Sequence, residues 1–223
     1  MKACALLSMV SLILLWPASP LAQDPVQVDG VHYKPVLDNA SVRVLRALFP
    51  AGAKSPMHQH PDSVVIALRD VRARFTMPDG TTQDQNLPSE SAYYSPAVTH
   101  STTNTGKAGL NVLVVEFKPP KPGKAVLPPR RTGLDMKVLA EGPRALVYRT
   151  TVDPSFHEEA GSTHEFDQIV IGLVPAEVTL AIAGKPARTT WSRGDVVFVP
   201  RGQPHESRNT GGTLADFIIV AIR

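Results

Sequence analysis

The sequence predicts an all-β fold made of two tandem copies of one small barrel. Three observations carry this prediction. Runs of four to eight apolar, β-branched or aromatic residues recur between Gly- and Pro-containing turns from residue 26 onward, as strands bounded by turns do. No window with a helical period runs beyond about 10 residues, and 21 prolines oppose long helices. Distinctive residues also return at one offset: His60 and His164 are 104 apart, while His100 and His205, like Asn104 and Asn209, are 105 apart.

Residues 1–22 read as a secretory signal. Lys2 is the lone positive residue there, residues 3–16 form an uncharged apolar run, and residues 17–22 supply small side chains and breakers. The apolar run is shorter than the roughly 20 residues that span a bilayer, so the expectation is a periplasmic or secreted bacterial protein with no stable membrane insertion once the signal is removed. Cys4 is the single cysteine, and with it gone disulfides and thiol catalysis are excluded.

Residues 26–118 form the first expected domain. Strand-like runs lie at 42–49, 64–68, 72–77, 92–95 and 111–117, with Pro78-Asp79-Gly80 as a hairpin turn. Residues 119–135 are rich in Pro, Lys and Arg, which favours an extended, semi-rigid, solvated connector. Its basic residues have no aromatic neighbours to stack bases, and the net charge is only +3, so neither composition nor patterning points to nucleic acid. Residues 136–223 form the second domain, in which 178–183 answers to 72–77 and 214–222 to 111–117. A copy of this size is large enough for a small barrel core.

Two residues apart on a strand, His58 and His60 direct both imidazoles to one face. His100 closes another strand-like run, and a closed sheet brings it opposite them. Three neutral imidazoles inside a barrel suit a divalent transition metal: Fe, Mn, Cu, Ni and Zn all accept such donors. The plainer alternative is a set of pocket histidines kept for hydrogen bonding. Other catalytic patterns are missing, and Glu158-Glu159 is expected in a loop, so paired-carboxylate glycosidase chemistry has no support.

Gly52 stands six residues before His58, Pro96 four before His100 and Asn104 four after it. In the second half, Gly194-Asp-Val-Val-Phe-Val-Pro200-Arg-Gly202-Gln-Pro-His205-Glu-Ser-Arg-Asn209 fits the pattern Gly-x5-Pro-x-Gly-x2-His-x3-Asn throughout. These stretches resemble the two motifs of the cupin superfamily, over roughly residues 40–118 and 145–222. The chain is similar to secreted bacterial bicupins and, more distantly, to two-domain dioxygenases of the quercetinase and pirin type.

The resemblance implies two double-stranded β-helix (jelly-roll) barrels and assigns His58, His60 and His100 as metal ligands. Val64 or Val65 stands where the family has an acidic ligand, and Asp62 is the nearby carboxylate with the strand parity of His60. In the second barrel Gly161-Ser-Thr-His164-Glu-Phe-Asp-Gln168 is a degraded first motif, with Ser162 in place of the first histidine. His164, Gln168 and His205 are expected to line a ligand pocket rather than a second working metal site, with His157 close enough to join them. His32 is read as a surface residue, and Phe75, Met77 and Tyr93 as lining the first pocket.

Family members include dioxygenases, decarboxylases, isomerases and proteins without turnover, so the fold leaves the reaction open. The expected function is a metal-dependent enzyme, dioxygenase-like or of Lewis-acid type, acting on a small organic molecule. The alternative is a non-catalytic periplasmic module that binds or senses a small ligand. The resemblance also allows a homodimer joined through strand edges.

Overall fold

The computed structural model describes residues 23–119 and 124–223; the signal-like segment lies outside them. A short helix, α1 (Pro25–Val28), is capped by the Asp24 side chain, which accepts a hydrogen bond from the Val26 N–H. Nine strands follow: β1 (Tyr33–Asp38), β2 (Val42–Phe49), β3 (His58–His60), β4 (Ser63–Ala67), β5 (Val71–Thr76), β6 (Thr82–Leu87), β7 (Ala92–Ser95), β8 (Val98–Asn104) and β9 (Leu110–Phe117). Nine more make the second half: β10 (Leu134–Gly142), β11 (Ala145–Val152), β12 (His157–Ser162), β13 (Asp167–Gly172), β14 (Ala176–Ile182), β15 (Lys185–Trp191), β16 (Val196–Val199), β17 (His205–Asn209) and β18 (Ala215–Ile222).

The first nine strands form two antiparallel sheets, ordered β1-β2-β9-β4-β7 and β3-β8-β5-β6. The second nine repeat this order, as β10-β11-β18-β13-β16 and β12-β17-β14-β15. Adding nine to each strand of the first half gives the second, so the internal repeat extends from isolated residues to the whole topology.

Alternation along the strands decides which face meets which core. On β2, Leu45, Ala47 and Phe49 point into the first barrel, where they meet Tyr33, Val71 and Val112. Val42 and Val44 point the other way and join Val64, Ile66, Leu113 and Val115 against Val147, Ile169, Ile171, Ile218 and Val220 of the second half. The two five-stranded sheets therefore stack back to back around a shared apolar layer. Their central strands are covered on both faces, and all eight residues of β18 are buried. That is why the C-terminal strand reads as an almost unbroken apolar run.

Polar groups tie the layer at its rim. The Ser41 hydroxyl donates to Asp167 Oδ2 at 2.7 Å, and Arg46 Nη2 donates to the Gly194 carbonyl. Arg149 and Arg193 both reach the Glu90 carboxylate, at 2.9 and 2.6 Å. Gly142 is held to glycine by contact alone, since a Cβ there would lie 2.3 Å from the Tyr94 ring.

The two motif asparagines are structural. Asn104 Nδ2 donates to the carbonyls of Phe49, Pro50 and Ala108, and its Oδ1 accepts from the Gly106 N–H. Asn209 does the same with Val152, Thr213 and Gly211. Either Asn→Ala change strands at least two buried backbone groups and is expected to cost about 2–4 kcal/mol. In a calorimetric scan that is a loss of roughly 5–15 °C in Tm.

Most described residues of the connector are exposed, as its composition predicts, but the segment also touches the second barrel. Ala125 is buried in the core cluster of the second half, and Pro128 and Arg131 line the mouth of that barrel's cavity. Arg131 Nη1 also lies 3.0 Å from Glu158 Oε1, a partly exposed ion pair between the connector and β12. No helix among the described residues is long and apolar enough to cross a membrane.

Candidate functional site

Strand pairing brings the three histidines of the first half together. β3 runs antiparallel to β8, with His58 directly opposite His100. All three side chains are buried, and one ring nitrogen from each lies within 4.8 Å of the others. Ring centroids are 4.9 Å apart for His58–His60 and His58–His100, and 5.5 Å for His60–His100.

Hydrogen bonds fix two of the rings. His58 Nδ1 lies 2.8 Å from the Pro56 carbonyl, which can only accept, so Nδ1 carries the proton and Nε2 presents its lone pair. His60 Nδ1 lies 2.7 Å from Glu116 Oε1, an arrangement that likewise turns Nε2 toward the cluster. His100 Nδ1 has no hydrogen-bond partner among the described residues, and the Phe75 ring packs on His100 with centroids 4.2 Å apart. Burial, helped by the neighbouring rings, lowers the pKa of His58 to about 4 and that of His100 to about 3. Both rings are thus neutral near pH 7 and keep their lone pairs.

Two further residues complete this site, and neither is visible in the motifs. Glu116, on β9, is buried between His60 and Arg43, whose Nε lies 2.6 Å from Oε2; Arg43 also reaches Asp24 at 2.6 Å. Tyr33, on β1, donates its phenolic O–H to His58 Nε2 at 3.0 Å. Burial raises the pKa of that phenol above the usual tyrosine value, with a hydrogen bond to Thr102 acting the other way.

Asp62 does not face the histidines. Its Oδ2 accepts from the Tyr94 hydroxyl at 2.9 Å and its Oδ1 from the Ala97 N–H at 2.8 Å. Strand parity fails because the chain leaves one sheet after His60 and enters the other at Ser63. A cavity of about 50 Å³ adjoins His60 and His100, walled by Val65, Phe75 and Tyr93 among others. Met77, expected there, lies at the turn beyond β5 and is not part of the wall. His32 is half-buried rather than a free surface residue, stacked on Phe49 at 4.4 Å with Nδ1 2.9 Å from Asp29.

The second barrel gathers a different set. Ser162 sits opposite His205, as His58 sits opposite His100, and its hydroxyl donates to the Glu159 carbonyl at 2.8 Å. His164, His205 and Glu158 come within 4.8 Å of one another through one ligand atom each. His205 Nδ1 is 3.0 Å from the Gln203 carbonyl, and its Nε2, 3.7 Å from Glu158 Oε2, makes no hydrogen bond among the described residues. Burial lowers the pKa of His164.

Gln168 is buried and lines the same cavity, about 110 Å³ in volume, together with Met136, Tyr148, Trp191 and Phe217. His157 is exposed opposite Arg208 and does not join. Glu158 lies on β12, not in a loop, and is the acidic member that the motif reading missed. The strand register shows what became of the first barrel's buried carboxylate. Glu116 faces Ser63 across β9–β4, and the matching pair in the second half is Ala221 and Gln168.

No protein-family model and no curated protein matches this sequence. Solved structures do match. A cupin 2 conserved barrel domain protein from Leptotrichia buccalis aligns at a TM-score of 0.58 and 10% identity, over 86% of this chain and 88% of that one. The chain has the cupin fold. Two enzymes share this cupin architecture. Bacillus subtilis oxalate decarboxylase, which has Mn(II) centres, aligns at a TM-score of 0.57 and 11% identity, over 86% of this chain and 75% of its own. Salicylate 1,2-dioxygenase from Pseudaminobacter salicylatoxidans aligns at 0.60 and 8%, over 82% and 71%. At these identities the likeness concerns the two-barrel fold, and the chemistry of this chain rests on its own side chains.

Proposed function

We propose that the first cupin barrel holds a divalent transition metal on His58, His60 and His100, and that the protein is an exported metal-dependent enzyme acting on a small oxygenated organic molecule. The observation that carries this reading is the convergence of three buried imidazoles, two of them held by their Nδ1 atoms with Nε2 aimed at a common centre. That donor set fits a borderline divalent ion and leaves open positions. A bound ion of this kind supplies Lewis acidity or, if redox-active, oxygen chemistry.

The chain's own residues set the rest. Glu116 holds the His60 ring in one orientation. Phe75, Val65 and Tyr93 keep the adjoining cavity apolar, and its 50 Å³ suits a molecule of few heavy atoms. The metal chemistry of oxalate decarboxylase and the oxygenation named for salicylate dioxygenase show what the architecture can support.

The first test is elemental analysis of protein purified without chelator or immobilised nickel. The expected result is metal bound by the wild type at one equivalent or more, with one equivalent lost in His58→Ala. Oxygen-consumption and carbon-dioxide-release screens would follow with small carboxylates and phenols. A wild type that takes up no added Fe(II), Mn(II), Cu(II), Ni(II) or Zn(II) would overturn the proposal.

The second barrel favours another reading for its own site, that of a small-ligand pocket without turnover. It has Ser162 where the first barrel has His58, and a cavity about twice as large. Export rests on residues 1–22, and cell fractionation tests it: recovery in the cytoplasm with the N-terminus intact would contradict it.

A further inference from the structure

We propose that Tyr33 is a fourth protein donor to the metal of the first barrel, through its phenolic oxygen. The inference rests on the metal reading above, and it supplies the anionic ligand that this chain lacks at the valine positions of its motif.

Spacing and a displaced hydrogen bond point to this role. Donors that share one ion at about 2.1 Å lie about 3 to 3.5 Å apart, the lower figure for octahedral and the upper for tetrahedral angles. Tyr33 Oη is 3.0 Å from His58 Nε2, so it already occupies the spacing of a neighbouring ligand. Its ring meets His58 edge-on at 4.9 Å and His60 at 5.7 Å, which sets the phenol against two of the three proposed ligands. The His58 lone pair that accepts the Tyr33 proton is also the one a metal needs. Filling the site therefore breaks that hydrogen bond, and the hydroxyl of a side chain only 3% exposed is left with Thr102 and the incoming ion as its neighbours. As the oxygen binds the ion, its proton leaves to solvent.

Among the described residues the nearby carboxylates are already engaged, Asp29 by His32 Nδ1 at 2.9 Å. Glu116 is held by His60 and Arg43, and Asp62 by Tyr94 and Ala97. Three neutral imidazoles leave the full charge of a divalent ion uncompensated in a buried site, and a phenolate offsets half of it. The register makes the feature specific to this barrel. Tyr33 sits opposite Ala47, which makes room for the ring, whereas the corresponding pair in the second half is Met136 opposite Thr150. The tyrosine thus occurs in the copy that has three histidines and not in the copy that has two.

The test uses Fe(III) added to the metal-free protein, because a coordinated tyrosinate gives an intense visible charge-transfer band and enhanced ring modes in resonance Raman. The expected result is both signatures in the wild type and in Tyr93→Phe. In Tyr33→Phe both should vanish while the metal content of the first barrel persists, with Zn(II) affinity about 10- to 100-fold weaker in a competition titration. Metal bound by the wild type without those signatures would overturn the Tyr33 assignment and leave the histidine site standing; so would signatures that survive in Tyr33→Phe. A wild type that binds no metal would instead sink the reading beneath it. Because the wild-type spectrum alone decides the first point, the test does not depend on the variant folding.

Discussion

Glu116→Ala is expected to lower the stability of the metal-free protein by about 1–3 kcal/mol, since it leaves the buried His60 N–H without its acceptor. Glu116 is 2% exposed and accepts from Arg43 Nε at 2.6 Å and from His60 Nδ1 at 2.7 Å. Its loss strands a buried imidazole N–H and takes one of two carboxylates from Arg43, leaving only Asp24. Glu116→Gln keeps the shape and one acceptor oxygen for His60, so its cost should be nearer half. Urea unfolding curves compare the two. In the metal-loaded protein the alanine variant should also bind Zn(II) about 10- to 100-fold more weakly, because the His60 ring is no longer fixed. Equal Zn(II) affinity in wild type and variant would show that Glu116 serves only Arg43.

Ile169→Asp is expected to abolish folding. Ile169 is fully buried in the apolar layer shared by the two halves, among Val64, Ile66, Val147 and Val220. An unpaired carboxylate there costs more than many domains possess in total stability, about 5–15 kcal/mol. Ile169→Ala is the informative companion, with an expected cost of about 2–5 kcal/mol for the lost methyl groups and the cavity left behind. Because the layer belongs to both halves, its unfolding transition should stay single and shift as a whole. Fluorescence from Trp191 and near-ultraviolet dichroism of the first-half tyrosines would then give one midpoint. Two separated midpoints would mean that the halves unfold independently.

The sequence made the histidines legible because His58 and His60 are related by strand parity within three residues, and parity is a local property. The repeat was legible because Asn104 and Asn209 do the same backbone work at the same place in each copy. Glu116 and Tyr33 were not legible. Their places beside His60 and His58 are fixed by the register of strands 56 and 25 residues away, and register depends on the whole sheet. Asp62 misled for the converse reason: the parity it shares with His60 is broken where the chain changes sheets between β3 and β4. Glu158 was hidden by its setting, since His-Glu-Glu-Ala-Gly has little β propensity and gains its strand from pairing with β17.

The back-to-back layer has a consequence for how the two barrels can diverge. Two separate copies pairing through such a face would associate by mass action, and each substitution would appear on both sides of the two-fold axis. Joined in one chain, they meet at an effective concentration in the millimolar range that does not depend on expression level, and each substitution appears once. One half can therefore lose a function that the other keeps, without weakening the pairing. Three places record this drift: His58 against Ser162, Tyr33 against Met136, and Glu116 against Ala221. None of them lies on the shared layer, so the layer has stayed nearly symmetric while the two sites have parted.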